Sequence, residues 1–125
     1  MKRTTLVLAL AVAAALARAD YLPDRKPIDV DVVGGQVRVG EGEAITVAGE
    51  GALVWRLEAG YAFADDGIVI DSPGLHHCIV TASGEKFRCV KLKHVPGAKY
   101  KYTVNVIDRA TQKPLAPLDP WILNN

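Results

Sequence analysis

The sequence predicts an all-β protein, folded as a two-sheet antiparallel sandwich. Apolar residues alternate with polar ones at period two in one short run after another. Turn residues separate the runs at intervals of roughly eight to twelve residues, the spacing of short antiparallel strands. No segment after residue 19 carries a helical period. Over one domain's length, this pattern fits a sandwich of about seven strands.

The first nineteen residues read as an address. Lys2 and Arg3 give a basic start, Leu6 to Leu16 is apolar, and Ala17-Arg18-Ala19 is a small-x-small cleavage site. This is the pattern of a secretory signal helix, too short to span a bilayer, with cleavage expected before Asp20. No cysteine stands near that point to take a lipid anchor, and no later stretch is apolar enough to cross a membrane. The expectation is a single domain over residues 20–125, periplasmic or secreted.

The elements follow in order. Ile28, Val30 and Val32 alternate with Asp29 and Asp31, and Gly34-Gly35 turns the chain into Val37 and Val39. Ile45 and Val47 precede a turn at Gly49-Glu50-Gly51. Leu53, Trp55 and Leu57 then alternate with Val54, Arg56 and Glu58. Tyr61 and Phe63 lead to an expected turn at Asp65-Asp66-Gly67, followed by Ile68 and Ile70. Tyr100, Tyr102, Val104 and Val106 form the last clear alternation. The proline-rich segment from Pro114 to Trp121 suits an edge or loop that docks Trp121 and Ile122.

All three histidines and both cysteines lie between His76 and His94. With Ser83-Gly84 central in a tight turn, Cys78 falls opposite Cys89. In an exported chain holding only these two cysteines, a disulfide between Cys78 and Cys89 is expected. A two-residue turn would place that pair at a hydrogen-bonded position, where the Cα atoms are farther apart; a longer turn or a bulge would relax this. Beyond Cys89 the alternation changes phase: Lys91 and Lys93 continue the face of Phe87 and Cys89, while Val90 and Leu92 occupy the other. A bulge near Cys89–Val90, or a strand passing between sheets, is expected. His94, in phase with Val90 and Leu92, is expected to be partly buried and hydrogen-bonded.

The charge is divided. The net charge is +1, and removing Lys2, Arg3 and Arg18 leaves −2. Acidic residues dominate up to Asp71 and basic ones after it. Interleaved strands would neutralise one another, while a basic strip from Lys86 to Lys101 would meet an acidic partner. Export removes nucleic acid as a partner, and none is expected. Ser72 and Ser83 lie outside any nucleophile elbow, and Asp29, Asp31, Asp65 and Asp66 suit solvated faces and turns. No nucleophile, base and orienting group assemble from these positions, so an enzyme is not expected.

Two resemblances bear on the topology. Ile45-Thr46-Val47-Ala48 with Leu53-Val54-Trp55, and Cys89 to His94 followed by Pro96-Gly97, resemble the strands and the ligand loop of cupredoxin domains. That likeness implies a copper alternative using Cys89, His94 and His77. The segment after Trp55 holds no histidine, and no methionine follows Met1. Zinc through His76, His77 and His94 meets the difficulty that adjacent strand residues face opposite ways. The stretch Gly97-Ala98-Lys99-Tyr100 resembles the tyrosine corner of immunoglobulin-like domains. As a whole, the blocks Trp55-Arg56-Leu57, Asp66-Gly67-Ile68-Val69-Ile70 and Pro117-Leu118-Asp119-Pro120-Trp121-Ile122 resemble small exported bacterial β-sandwich proteins of unassigned role. The function expected is a monomeric, non-catalytic binding or accessory domain for a protein or peptide partner, without cofactor or metal.

Overall fold

The computed structural model describes residues 24–40, 44–47 and 51–125. The address segment and the turn positions Gly49 and Glu50 lie outside them. Ten strands follow in order: β1 (Ile28–Val33), β2 (Gln36–Val39), β3 (Ala44–Val47), β4 (Ala52–Leu57), β5 (Tyr61–Ile70), β6 (His76–Thr81), β7 (Lys86–Lys91), β8 (Lys99–Asp108), β9 (Lys113–Pro114) and β10 (Trp121–Asn124). A short 3-10 turn, Ala82–Gly84, joins β6 to β7, and no α-helix occurs among the described residues. No described helix is long and apolar enough to cross a membrane.

The strands form two sheets. The first has the order β2-β1-β4-β7-β6, and the second β3-β10-β8-β5 with β9 also on β8. Period two decides what enters the space between them. Val30, Val37, Val39, Leu53, Trp55, Leu57, Phe87 and Cys89 meet Phe63, Ile68, Tyr102, Val104, Val106 and Ile122 in one buried cluster. Trp55 is fully buried there, as its strand pattern requires. The sandwich is therefore as expected, but two pairings are parallel. β1 runs alongside β4 from Ile28↔Trp55 to Val30↔Leu57, and β10 alongside β3 from Trp121↔Ala44 to Asn124↔Val47.

Two local expectations are corrected, and a third is refined. Asp65-Asp66-Gly67 does not end a strand. It forms a wide bulge within β5, so that Phe63 pairs with Val106 and Ile68 already with Val104. The Asn105 side-chain amide donates to the Asp66 carbonyl at 2.7 Å and holds the bulge. A Cβ at Gly67 would stand 2.6 Å from the Phe63 Cβ and 2.9 Å from the Ala64 carbonyl oxygen, so the fold of the bulge admits only glycine.

The phase change after Cys89 has no bulge behind it, for β7 pairs without interruption with β4 and with β6. Instead, both faces of this end are covered. Val90 and Ala52 form a small buried cluster on the outer face, and Lys91 turns inward to a position 4% exposed.

The proline-rich segment lies at an edge, as expected: residues 114–120 pair with β8 alone among the described strands, and only β10, beyond the prolines, has a partner on each side. Residues 113–124 run antiparallel to β8, first as β9, then through a bridge from Leu118 to Val104, then as β10. The Leu118 and Pro120 carbonyls accept from the Val104 and Tyr102 amides, each near 2.8–2.9 Å. At Pro120, which has no N–H to give, the carbonyl carries the pairing. Ile122 docks as expected with no exposed surface.

Candidate functional site

The region from His76 to His94 folds as a hairpin at one edge of the first sheet. Thr81 pairs with Lys86, so four residues, Ala82 to Glu85, make the connection. Ser83 takes φ 58° and Gly84 φ 87°, the latter conformation being one glycine adopts without strain. Arg109 pins the tip, donating from Nη2 to the Ser83 carbonyl at 2.6 Å and from Nε to the Tyr61 carbonyl at 3.0 Å.

Cys78 and Cys89 are paired in register and joined by a disulfide, with Cα atoms 4.0 Å apart. That spacing belongs to a non-hydrogen-bonded pair, not the hydrogen-bonded one a two-residue turn would give. The backbone agrees. The Glu85 carbonyl accepts from Leu57 on the β4 side, and Leu92 N–H donates to Leu75 on the β6 side. Residues 85, 87 and 89 therefore direct their peptide groups at β4, and 86, 88 and 90 at β6. The longer turn shifts the phase by one residue while leaving the register unchanged.

One consequence is the character of β6. Its partners to β7 are His77, Ile79 and Thr81. The peptide groups of His76, Cys78 and Val80 point the other way, to an edge where no described strand pairs with them. Edge strands are commonly blunted by charge, proline, bulge or brevity. Here β2 and β3 have four residues each, and β5 is bulged at two aspartates. β6 has six residues, His-His-Cys-Ile-Val-Thr, with no formal charge, no proline and no bulge. Its outward face presents His77 and Ile79, the latter 45% exposed.

Inward, the same hairpin builds a polar end to the sandwich. His76 lies opposite Lys91 across the strands. Ser72 Oγ is 2.6 Å from His76 Nδ1, and the Tyr100 ring meets the imidazole edge-on at 5.5 Å. Burial, then the charge of Lys91, push the His76 pKa down to about 4, so the ring is neutral at physiological pH. Its Nε2 is buried with no hydrogen-bond partner. Burial, then Arg25, lower the Lys91 pKa as well. The Lys91 ammonium reaches Asn124 Oδ1 at 3.0 Å and His94 Nδ1 at 3.1 Å, and His94 Nε2 lies 2.8 Å from the Asn125 carbonyl. His94 is thus half-buried and hydrogen-bonded, as its phase suggested. The roles of Lys91 and Asn124 were hidden in the sequence, because their approach spans the two sheets.

The copper set Cys89, His94 and His77 is not assembled. Cys89 is in the disulfide, where no thiolate remains to bind a metal. His77 lies on the opposite face from the inward pair Cys78 and Cys89. Among the described residues, no three His, Cys, Asp or Glu side chains are grouped to hold a metal ion. The zinc set fails likewise, with His76 turned inward and His77 outward. The basic strip is also divided. Lys86 and Arg88 lie on β7, Lys91 is interior, and Lys99 and Lys101 lean on the Trp121 ring at 4.4 and 5.7 Å from its centroid. Two acid–base pairs, Arg56–Asp29 and Arg88–Asp24, join the acidic first part of the chain to later strands at 2.8 Å.

No known protein family and no curated protein matches the chain. Fold and edge therefore stand as the ground for any functional reading.

Proposed function

We propose that this chain is an extracytoplasmic binding domain that takes an extended segment of a protein partner onto β6 by strand addition. One observation carries the reading: β6 is an unblunted six-residue edge, held straight by a disulfide to its neighbour. Strand addition draws affinity from main-chain hydrogen bonds and specificity from alternate side chains. The peptide groups of His76, Cys78 and Val80 would supply the first, and His77 and Ile79 the second. The disulfide fixes the edge before binding, which lowers the ordering cost. It also fits an oxidising compartment outside the cytoplasm, in line with the leader-like residues 1–19.

Two substitutions test this. Val80→Pro removes an outward N–H and leaves the ladder to β7 intact. Ile79→Lys adds an edge charge without touching the backbone. With a photo-crosslinker at His77, wild-type protein should capture a discrete partner from the extracytoplasmic fraction, and both variants should lose it while keeping their melting temperature. Undiminished capture by the two variants would move the contact off this edge.

A further inference from the structure

We propose that Lys91 and Asn124 become joined by a side-chain amide bond that forms spontaneously in the folded domain and ties the two sheets together. Lys91 ends β7 in the first sheet, and Asn124 ends β10 in the second. Both point into the interior, 4% and 5% exposed. Lys91 Nζ lies 3.0 Å from Asn124 Oδ1, so the amide carbon is one bond beyond the atom already touched. Reaction between groups held in this way avoids most of the entropy cost of a bimolecular encounter.

The surroundings supply what amide exchange needs. The nucleophile must be a neutral amine, and burial favours that form of Lys91. A base must take the ammonium proton. His94 Nε2 faces the Asn125 carbonyl at 2.8 Å and so carries the ring hydrogen, leaving the Nδ1 lone pair aimed at Lys91 Nζ from 3.1 Å. The leaving group is Asn124 Nδ2, which is buried and has no hydrogen bond to lose. The Asn124 backbone is pinned on both sides, its N–H donating to Ala98 and its carbonyl accepting from Gly97, each at 2.9 Å.

In the step, His94 Nδ1 takes a proton from the Lys91 ammonium, and the Nζ lone pair attacks Asn124 Cγ. The tetrahedral adduct collapses with cleavage of the Cγ–Nδ2 bond. Nζ gives up its second proton from the adduct, both protons pass by way of His94 to the departing nitrogen, and the electron pair leaves with that nitrogen. One C–N bond forms, one breaks, one ammonium ion is released, and nothing is oxidised or reduced.

Intact-mass measurement of the purified protein, denatured and reduced, decides the matter without requiring any variant to fold. Wild type should be lighter than its sequence by the mass of one ammonia, and proteolysis should yield a branched peptide joining residue 91 to residue 124. Lys91→Met and Asn124→Ala should both keep the full linear mass. A wild type that stays at linear mass after prolonged incubation in the folded state would overturn the proposal. So would the same mass loss persisting in Lys91→Met, because that marks a succinimide at Asn124. His94→Gln should slow formation at least tenfold, and an unchanged rate would remove His94 from the step.

Discussion

The Trp55 indole N–H donates across the sandwich to the Tyr102 hydroxyl at 3.4 Å, with ring centroids 5.3 Å apart and planes inclined by 53°. Each sheet thereby places its largest buried side chain against the other's, and both are essentially without exposed surface. Trp55→Ala leaves a large void and should cost about 3–5 kcal/mol, enough to unfold much of so small a domain. Tyr102→Phe keeps the ring but strands a buried N–H, and should cost about 1–3 kcal/mol. Chemical denaturation of both variants checks the order, with the alanine variant much the weaker.

Reduction of the Cys78–Cys89 bond should lower stability by about 2–3 kcal/mol on the chain-entropy estimate for so short a loop, and leave the topology intact. Native protein unfolded without reductant should show no reactive thiol. Because Cys89 is buried against Phe87 and Leu53 in the same cluster, Cys89→Ala should cost more than Cys78→Ala measured under reducing conditions.

His76 gives stability a dependence on acid. Its pKa is lowered in the fold, from 6.5 to about 4, first by burial and then by Lys91. Between those values the unfolded chain binds a proton that the native state refuses, so stability falls as pH drops through that window and levels off below about 4. His76→Gln should flatten this part of the profile. The difference in melting temperature between the two proteins at pH 7 and pH 4.5 isolates the effect from the carboxylates.

Gly67→Ala should cost about 1–3 kcal/mol through overpacking, because the new methyl collides with Phe63 and the Ala64 carbonyl. The collision is confined to the β5 bulge. Amide exchange should accordingly quicken around Asp65 to Ile68 before it does in β4 or β7. Uniform quickening would show that the bulge is not a separable unit.

Period two made most of the fold legible. Leu53, Trp55 and Leu57 announced their strand and its buried face, and the Cys78–Cys89 register followed from counting back from Ser83-Gly84. The hydrogen-bond phase of the hairpin was left open between a two-residue and a longer turn, and the place of Lys91 escaped. A four-residue connection keeps that register yet reverses the hydrogen-bond phase, and pattern alone carries no record of phase. Lys91 reads as a solvated charge until Asn124, thirty-three positions on, arrives from the other sheet. The strand character of Tyr61–Ile70 was visible, but Asp-Asp-Gly is turn chemistry and bulge chemistry alike. The central place of Trp121–Asn124 was not legible, because its partner β3 lies far back in the chain.

That central place sets an order of events. β3 pairs, among the described residues, with β10 alone, and β8 shares β10 over Lys99–Lys101. Until residues 121–124 have left the ribosome, the second sheet has a gap in its middle and β3 has nothing to lie beside. The contacts that close it link positions near residue 45 to positions near residue 122, a separation that slows closure because the loop must be shut before any contact rewards it. Closure of the second sheet therefore waits on residues 121–124, however much of the first sheet has already formed.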